Sequence, residues 1–225
     1  MRSVLVTGAA RGLGSAVAER LAADGFAVVG ADLDGVELTL DVREPDSWPV
    51  AVSALEAAGQ PWGLVNCAAV TVLRDLFEIE QDEWDDVLAT NLRGPFLGIR
   101  AVGPVLARQG AGRVVNVSSD AALKGRGVVG AHYAASKAGL IALTRRAAAA
   151  LAPTGVTVNA VVPGTIEGET VRELAGGEVE ALAAEAALGR LAEPAEIAAL
   201  VAWLLSDEAS YVTGSALLAD GGASL

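Results

Sequence analysis

Tyr133 and Lys137 stand four residues apart in Tyr133-Ala134-Ala135-Ser136-Lys137, and Ser118 and Ser119 lie fifteen and fourteen residues upstream of the tyrosine. The apolar spacing that follows predicts a helix, which puts the phenol and the ammonium on one face. A cation beside a phenol favours the phenolate and lowers its pKa, which suits a tyrosine to proton transfer near neutral pH. A hydroxyl such as that of Ser119 would then hold the reacting oxygen. Taken alone, a Tyr-x-x-x-Lys spacing is more often the rim of an amphipathic helix than a catalytic pair. Its meaning comes from the elements around it.

A phosphate-binding pattern opens the chain. Ser3–Thr7 is a short β-rich run, followed by Gly8-Ala9-Ala10-Arg11-Gly12-Leu13-Gly14 and a helical pattern with Leu13, Val17 and Leu21 on one face, ended by Gly25. Glycines let the chain turn tightly and let its backbone approach a pyrophosphate, and the helix N-terminus behind them favours anions. The next apolar run, Phe26–Ala31, closes on Asp32, eighteen residues after Gly14. A carboxylate there accepts hydrogen bonds from the adenosine ribose hydroxyls and repels a 2′-phosphate, which argues for NAD over NADP. Arg11 pulls the other way, since a basic loop residue can meet that phosphate. Asp32 carries the larger weight, because the phosphate would sit almost against it.

Val36–Leu40 alternates like a half-buried strand and leads into Asp41-Val42, with Asp41 nine residues after Asp32. A parallel crossover needs a dozen or more residues, so the helix between the second and third strands is expected to be missing or reduced to a turn at Asp34-Gly35. Asp46–Ala58 reads as a helix capped by Asp46 or Ser47. Trp62–Asn66 reads as a buried strand, and Gln81–Gln109 as a long helix made irregular by Gly94, Pro95 and Pro104. Arg113–Ser119 is a strand ending at the serines, and the Tyr133 helix runs to about Leu151. Val156–Val162, Ala195–Ser206 and Ser215–Ala219 follow as strand, helix and strand. With no internal repeat and no linker, residues 1–225 read as one dinucleotide-binding domain.

Composition narrows the partners. Of the residues 52% are hydrophobic but only 4% aromatic, so the core is built from Ala, Val and Leu. A net charge of −12 argues against nucleic acid or an anionic membrane surface. The single cysteine, Cys67, excludes an internal disulfide, and with one histidine, His132, no metal site is expected. No signal-peptide pattern is visible. The longest uncharged run, Ala147 to Ile166, is broken by Pro153, Gly155, Asn159, Pro163 and Gly164. No membrane span is expected, and the cytoplasm is the expected location.

Together Thr7-Gly8-Ala9-Ala10-Arg11-Gly12-Leu13-Gly14, Asn91, Ser119, Tyr133-x-x-x-Lys137 and Pro163-Gly164 resemble the short-chain dehydrogenase/reductase family, from Val4 to Gly222. The resemblance implies a Rossmann-type α/β fold, a doubly wound parallel sheet of about seven strands with its site at the C-terminal strand ends. It implies Tyr133 as general acid/base and Lys137 holding the nicotinamide ribose while lowering the tyrosine pKa. Ser119, rather than Ser118, would bind the substrate oxygen, and Asn91 would support a proton relay through a water near Lys137. For the cofactor it implies Gly8, Arg11, Gly12, Leu13 and Gly14 at the pyrophosphate turn and Asp32 at the adenosine ribose. Asp41 and Val42 would flank adenine, Asn66 and Ala68 would support the ribose and central strand, and Pro163, Gly164 and Ile166 would line the nicotinamide side. A substrate lid over 165–187 also follows, as does a homodimer or homotetramer through the helices around 91–109 and 133–151.

The chain departs from the family pattern in three places. Asn66-Cys67-Ala68-Ala69 ends in alanine where the family has glycine, and Gly168 stands where it often has threonine, with Thr165 and Thr170 nearest. The Ser119-to-Tyr133 spacing of fourteen is one longer than a common family spacing and predicts a bulged loop over 124–130. Gly176-Gly177 is expected to split the lid into two helical pieces, with Glu167, Glu169, Glu173 and Glu178 forming a solvated surface. Cys67 reads as a buried structural residue, His132 as a loop histidine without a role, and Trp48, Trp62, Trp84 and Trp203 as packing anchors. The activity implied is NAD(H)-dependent interconversion of a small-molecule secondary alcohol and a ketone, most commonly as a 3-oxoacyl reductase. Ser119-Asp120-Ala121-Ala122 suggests a cyclic diol or dihydrodiol dehydrogenase as the alternative. A catalytically idle, dinucleotide-sensing protein is the competitor from another class.

Overall fold

The computed structural model describes residues 1–125, 129–174 and 179–225, without the side chains of Thr170, Glu173 and Leu174. Seven strands form one sheet: β1 (Arg2–Thr7), β2 (Ala27–Asp32), β3 (Leu38–Thr39), β4 (Gln60–Asn66), β5 (Gly112–Val117), β6 (Val156–Pro163) and β7 (Ala216–Ala219). Their order is β3-β2-β1-β4-β5-β6-β7, and every pairing is parallel. All residues of β5 and β6 are buried, as expected of strands covered on both faces and written as near-continuous apolar runs.

Alternation along β1 feeds two separate cores. Val4 and Val6 pack on one face with Val17 and Leu21 of α1 (Gly12–Ala23) and Ile197, Val201 and Leu204 of α8 (Pro194–Leu205). Leu5 points to the other face, where Trp48 and Leu55 of α2 (Trp48–Ala58), Leu97 and Leu106 of α4 (Gly94–Gln109) and Ala147 of α5 (Ala131–Leu151) close over the sheet. Strand order reverses between β1 and β4, which opens a crevice at the carboxyl ends of the strands. Among the described residues no helix is long and apolar enough to cross a membrane.

No helix joins β2 to β3, as the short spacing requires. β3 itself shrinks to two residues, paired as Ala31↔Leu38 and Asp32↔Thr39. Neither Asp46 nor Ser47 caps α2 through its side chain; a 3₁₀ turn at Pro45–Ser47 leads into it instead, with the Ser47 amide bonded to the Glu44 carbonyl at 3.2 Å. The long helix divides earlier than Gly94-Pro95 suggests. α3 (Gln81–Leu88) passes through a π turn at Ala89–Arg93 into α4, which accommodates Pro104 in its interior. The lid region holds α6 (Glu169–Leu174) and α7 (Val179–Ala184), two short helices as expected; Gly176-Gly177, expected to separate them, lies outside the described residues. So does the middle of the bulged loop expected at 124–130.

Candidate active site

Thr7 ends β1, and its hydroxyl oxygen accepts hydrogen bonds from the amides of Cys67 and Ala68 at 3.2 and 3.3 Å, tying the turn after β4 to the glycine loop. Gly8 and Gly12 take φ of +72° and +58°, a region glycine enters without a steric cost. A Cβ on Gly14 would stand 1.9 Å from the Gly8 carbonyl oxygen, and one on Gly8 would stand 2.7 Å from Ala68 Cα. On Gly12 it would meet nothing within 4 Å. No side chain caps the start of α1, so its first amides are available to an anionic group. At the end of β2, Asp32 accepts the amides of Ala10 at 3.0 Å and Leu33 at 2.8 Å; its carboxylate keeps further lone pairs. Arg11 is exposed. The cradle of amides, the open space at Gly12 and the acid at the strand end fit a dinucleotide.

Beyond β5 the chain delivers Ser118 and Ser119, and α5 runs past them. A cleft of about 480 Å³ is lined by Ser119, Tyr133, Lys137, Pro163, Gly164 and Ile166, with Leu13 reaching in from α1. The two serines divide their work. Ser118 is buried and its hydroxyl donates to the Lys137 carbonyl at 2.9 Å. Ser119 accepts the Ala121 amide at 3.2 Å and donates to Asp120 Oδ1 at 3.3 Å, on the cleft surface.

Lys137 is buried, with Nζ donating to the Val117 carbonyl at 2.9 Å and standing 5.6 Å from the centre of the Tyr133 ring. Burial pushes its pKa down to about 8, against a smaller upward pull from Cys67. The Tyr133 phenol is pushed up: burial dominates, the hydroxyls of Ser119 and Thr71 oppose it, and the Asp120 carboxylate adds to it. The lysine-to-tyrosine spacing alone predicts the opposite sign. Desolvation of the buried phenol outweighs the ammonium 5.6 Å from the ring centre in the chain by itself. Cys67 also lines the cleft, with burial pushing its thiol up to about 11, so it stays an unreactive thiol near neutral pH.

Several residues expected at the site also make contacts within the scaffold. Asn91 is fully buried in the π turn; its Nδ2 donates to the Val70 carbonyl at 2.9 Å and to Ser136 Oγ at 3.3 Å, and its Oδ1 accepts the Val70 amide at 2.9 Å. Its side-chain amide is thereby committed to Val70 and Ser136. Asn66 donates to Asn116 Oδ1 at 2.8 Å, and Asn116 in turn to Thr144 Oγ1 at 2.9 Å, a buried polar chain between sheet and helix. Asn66 is expected to support the ribose and the central strand, and this bond holds the central strand. Val42 is buried against Gly94, where a Cβ would come within 2.9 Å of its side chain. Asp41 is paired with Arg43 at 2.8 Å, and the guanidinium holds its carboxyl below the usual range. His132 is not a loop residue: it lies in the first turn of α5 and is fully buried.

The structure adds cleft residues that spacing did not single out: Thr71 and Leu73 after β4, Asp120 and Lys124 after β5, and Leu182 and Glu185 from the lid. Lys124 pairs with Asp120 at 2.5 Å and lies 3.9 Å from Glu185. Apart from Asp120, which stands in the Ser119-Asp120-Ala121-Ala122 run, no local signal marks them, since three separate connections bring them together. Ala69, the departure from glycine, also lines the cleft, and no residue other than glycine has a positive φ among the described residues; its methyl group costs no backbone strain. Of the two candidate threonines, Thr165 lines the cleft, and the Thr170 side chain lies outside the described residues. Glu167 and Glu169 are exposed, as expected of a solvated surface; the Glu173 side chain and Glu178 lie outside the described residues.

A family profile described as enoyl-(acyl carrier protein) reductase matches residues 8–224. The short-chain reductase protein NovJ of Streptomyces niveus is 40% identical over 245 residues, covering 97% of this chain and 92% of that protein. The 3-oxoacyl-[acyl-carrier-protein] reductase FabG of Escherichia coli strain K12 is 37% identical over 233 residues, covering 97% of this chain and 95% of that protein. The crystal structure of gox2181 matches with a TM-score of 0.94 at 31% identity, covering 99% of this chain and 95% of that one.

Proposed function

This chain belongs to the short-chain dehydrogenase/reductase family and is an oxidoreductase of CH–OH and ketone groups; within that family we propose an NAD(H)-dependent enzyme that interconverts a small-molecule secondary alcohol and a ketone, with 3-oxoacyl compounds as the favoured substrate class. The observation that carries the reading is the convergence of Ser119, Tyr133 and Lys137 on one cleft. The nicotinamide, when bound, supplies or takes up the hydride. Tyr133 gives a proton to the ketone oxygen or removes it from the alcohol. Ser119 holds that oxygen by hydrogen bonding, and Lys137, whose one acceptor among the described residues is the Val117 carbonyl, would turn its remaining donors to the nicotinamide ribose.

The backbone of Gly8, Arg11, Gly12, Leu13 and Gly14 would receive the pyrophosphate, with Pro163, Gly164 and Ile166 beside the nicotinamide. Asp32, at the end of β2, supports NAD(H) over NADP(H), because a 2′-phosphate would meet its carboxylate. The turn after β4 at Ala68 and the loop at Asp41-Val42 would complete the cofactor's surroundings through backbone groups. Residues 165–187 form the lid of a single 1–225 domain, and the enzyme works in the cytoplasm as a homodimer or homotetramer. A cyclic diol is the second reading, favoured by the Asp120 carboxylate, a hydrogen-bond acceptor on the cleft surface beside Ser119.

Both readings are tested by steady-state turnover of 3-oxo esters and cyclic diols, run in parallel with NAD(H) and NADP(H). The proposal expects 3-oxo ester reduction with a preference for NADH. Diol oxidation without 3-oxo reduction would move the assignment to the second reading, and a preference for NADPH would mean that Arg11 outweighs Asp32.

A further inference from the structure

Residues 69–74 form neither helix nor strand, yet they alternate. Ala69, Thr71 and Leu73 line the cleft, whereas Val70, Val72 and Arg74 are each fastened elsewhere. Both backbone groups of Val70 bond to Asn91, whose Nδ2 also reaches Ser136 of α5. The Val72 carbonyl accepts the amide of Gly130, the residue just before α5, at 2.9 Å. Arg74 pairs with Glu83 of α3 at 2.9 Å, and Glu83 Oε1 lies 3.1 Å from His132 Nε2. Three ties therefore join one wall of the cleft to the helix that carries Tyr133. The third passes through His132, which the proposed chemistry does not use.

The His132 ring is fully buried and stacks on Trp84 at 6.5 Å. It packs so closely on Gly130 that a Cβ there would stand 2.2 Å from its Cε1. Nδ1 accepts the amide of Tyr133 at 2.9 Å, alongside the Gly130 carbonyl at 3.0 Å. Accepting that bond requires a lone pair on Nδ1, so the proton of the neutral ring sits on Nε2 and is donated to Glu83. Both ring nitrogens are committed. Gly130 offers no side chain to the first turn of α5, and the imidazole supplies the acceptor that a capping side chain otherwise provides.

We propose that His132 is a positioning residue for the catalytic tyrosine: as the Nε2–H tautomer it couples Arg74 and Glu83 to the first turn of α5, and so sets where the Tyr133 phenol stands against Ser119 and Thr71. The inference rests on Tyr133 being the acid/base. The phenol oxygen lies at the far end of a long rigid side chain, so a small rotation of that turn moves the oxygen further than it moves the backbone. Displacements near 1 Å cost catalysis as much as about 10²-fold.

The test compares wild type, His132→Phe, His132→Asn and Tyr133→Phe in the reduction of ethyl acetoacetate by NADH, with the Kd for NADH measured alongside. Phenylalanine fills the ring's space without an acceptor, whereas asparagine puts Oδ1 where Nδ1 stood. His132→Phe is expected to lower kcat about tenfold with the NADH Kd within about twofold of wild type, and His132→Asn to recover most of the loss. A wild-type kcat in His132→Phe, or no recovery in His132→Asn, would overturn the inference. If the phenylalanine variant does not fold, His132→Asn decides alone: a kcat within about fivefold of wild type supports the role, and a larger loss sinks it. Inactive Tyr133→Phe with fully active His132→Phe removes this inference only, while fully active Tyr133→Phe removes the reading beneath it too.

Discussion

Replacing Lys137 with methionine should make the cofactor-free protein more stable while abolishing its chemistry. The buried ammonium has its pKa pushed from 10.5 to about 8. A fall of roughly 2.5 units corresponds to a native-state penalty on the charged form of about 3 kcal/mol. Methionine removes that charge and forfeits the charge-assisted Nζ bond to the Val117 carbonyl, a loss of about 2 kcal/mol. A net gain of about 1 kcal/mol remains, worth roughly 2–4 °C in Tm for a chain of this size. The sign with pH follows from the depressed pKa. Below pH 8 both folded and unfolded chains carry the proton and the penalty is whole. Between about 8 and 10.5 the unfolded chain binds more protons, so wild-type stability rises and the gap to the variant closes. Urea titrations of both proteins at pH 7 and pH 9.5 read this directly. A variant less stable than wild type at pH 7, or a difference that does not change with pH, would refute the electrostatic account of Lys137.

Other consequences follow from single observations. Gly14→Ala should abolish measurable NADH binding, because its Cβ would sit 1.9 Å from a carbonyl oxygen; retained binding would mean the loop is not the cradle. Gly12→Ala clashes with nothing but sits at φ +58°, so it should cost about 1 kcal/mol of stability and, since its methyl group enters the open space, at least tenfold in Kd for NADH. Unchanged affinity in a titration would put the pyrophosphate elsewhere. The Thr157 hydroxyl is buried without a hydrogen-bond partner among the described residues. Thr157→Val should therefore raise stability by about 1 kcal/mol in urea denaturation, and a loss would show that the hydroxyl is satisfied.

What the sequence made legible was local. The i,i+4 pairing of Tyr133 with Lys137, the glycine loop between strand and helix, and Asp32 at the end of β2 depend on short spacings, and they stand where those spacings put them. The missing β2–β3 helix was legible for the same reason, since nine residues cannot make a crossover. What stayed hidden depends on distant contacts. Spacing does not show that Val70 and Ser136 occupy the side-chain amide of Asn91. His132 reads as a loop residue until it is found buried in the first turn of α5, with Nε2 against Glu83 forty-nine positions away. The Tyr133 pKa reverses because spacing records the nearby lysine but not the burial around the phenol. Thr71, Asp120 and Glu185 meet at the cleft only because parallel strands end on the same side of the sheet.

The central claim is that the cleft at Ser119, Tyr133 and Lys137 performs alcohol–ketone oxidoreduction with Tyr133 as its acid/base. Measuring kcat of Tyr133→Phe alongside its Kd for NADH tests this most directly. The account predicts a loss of about a thousandfold in kcat with cofactor affinity preserved. A variant that binds NADH and still turns over at the wild-type rate would contradict it.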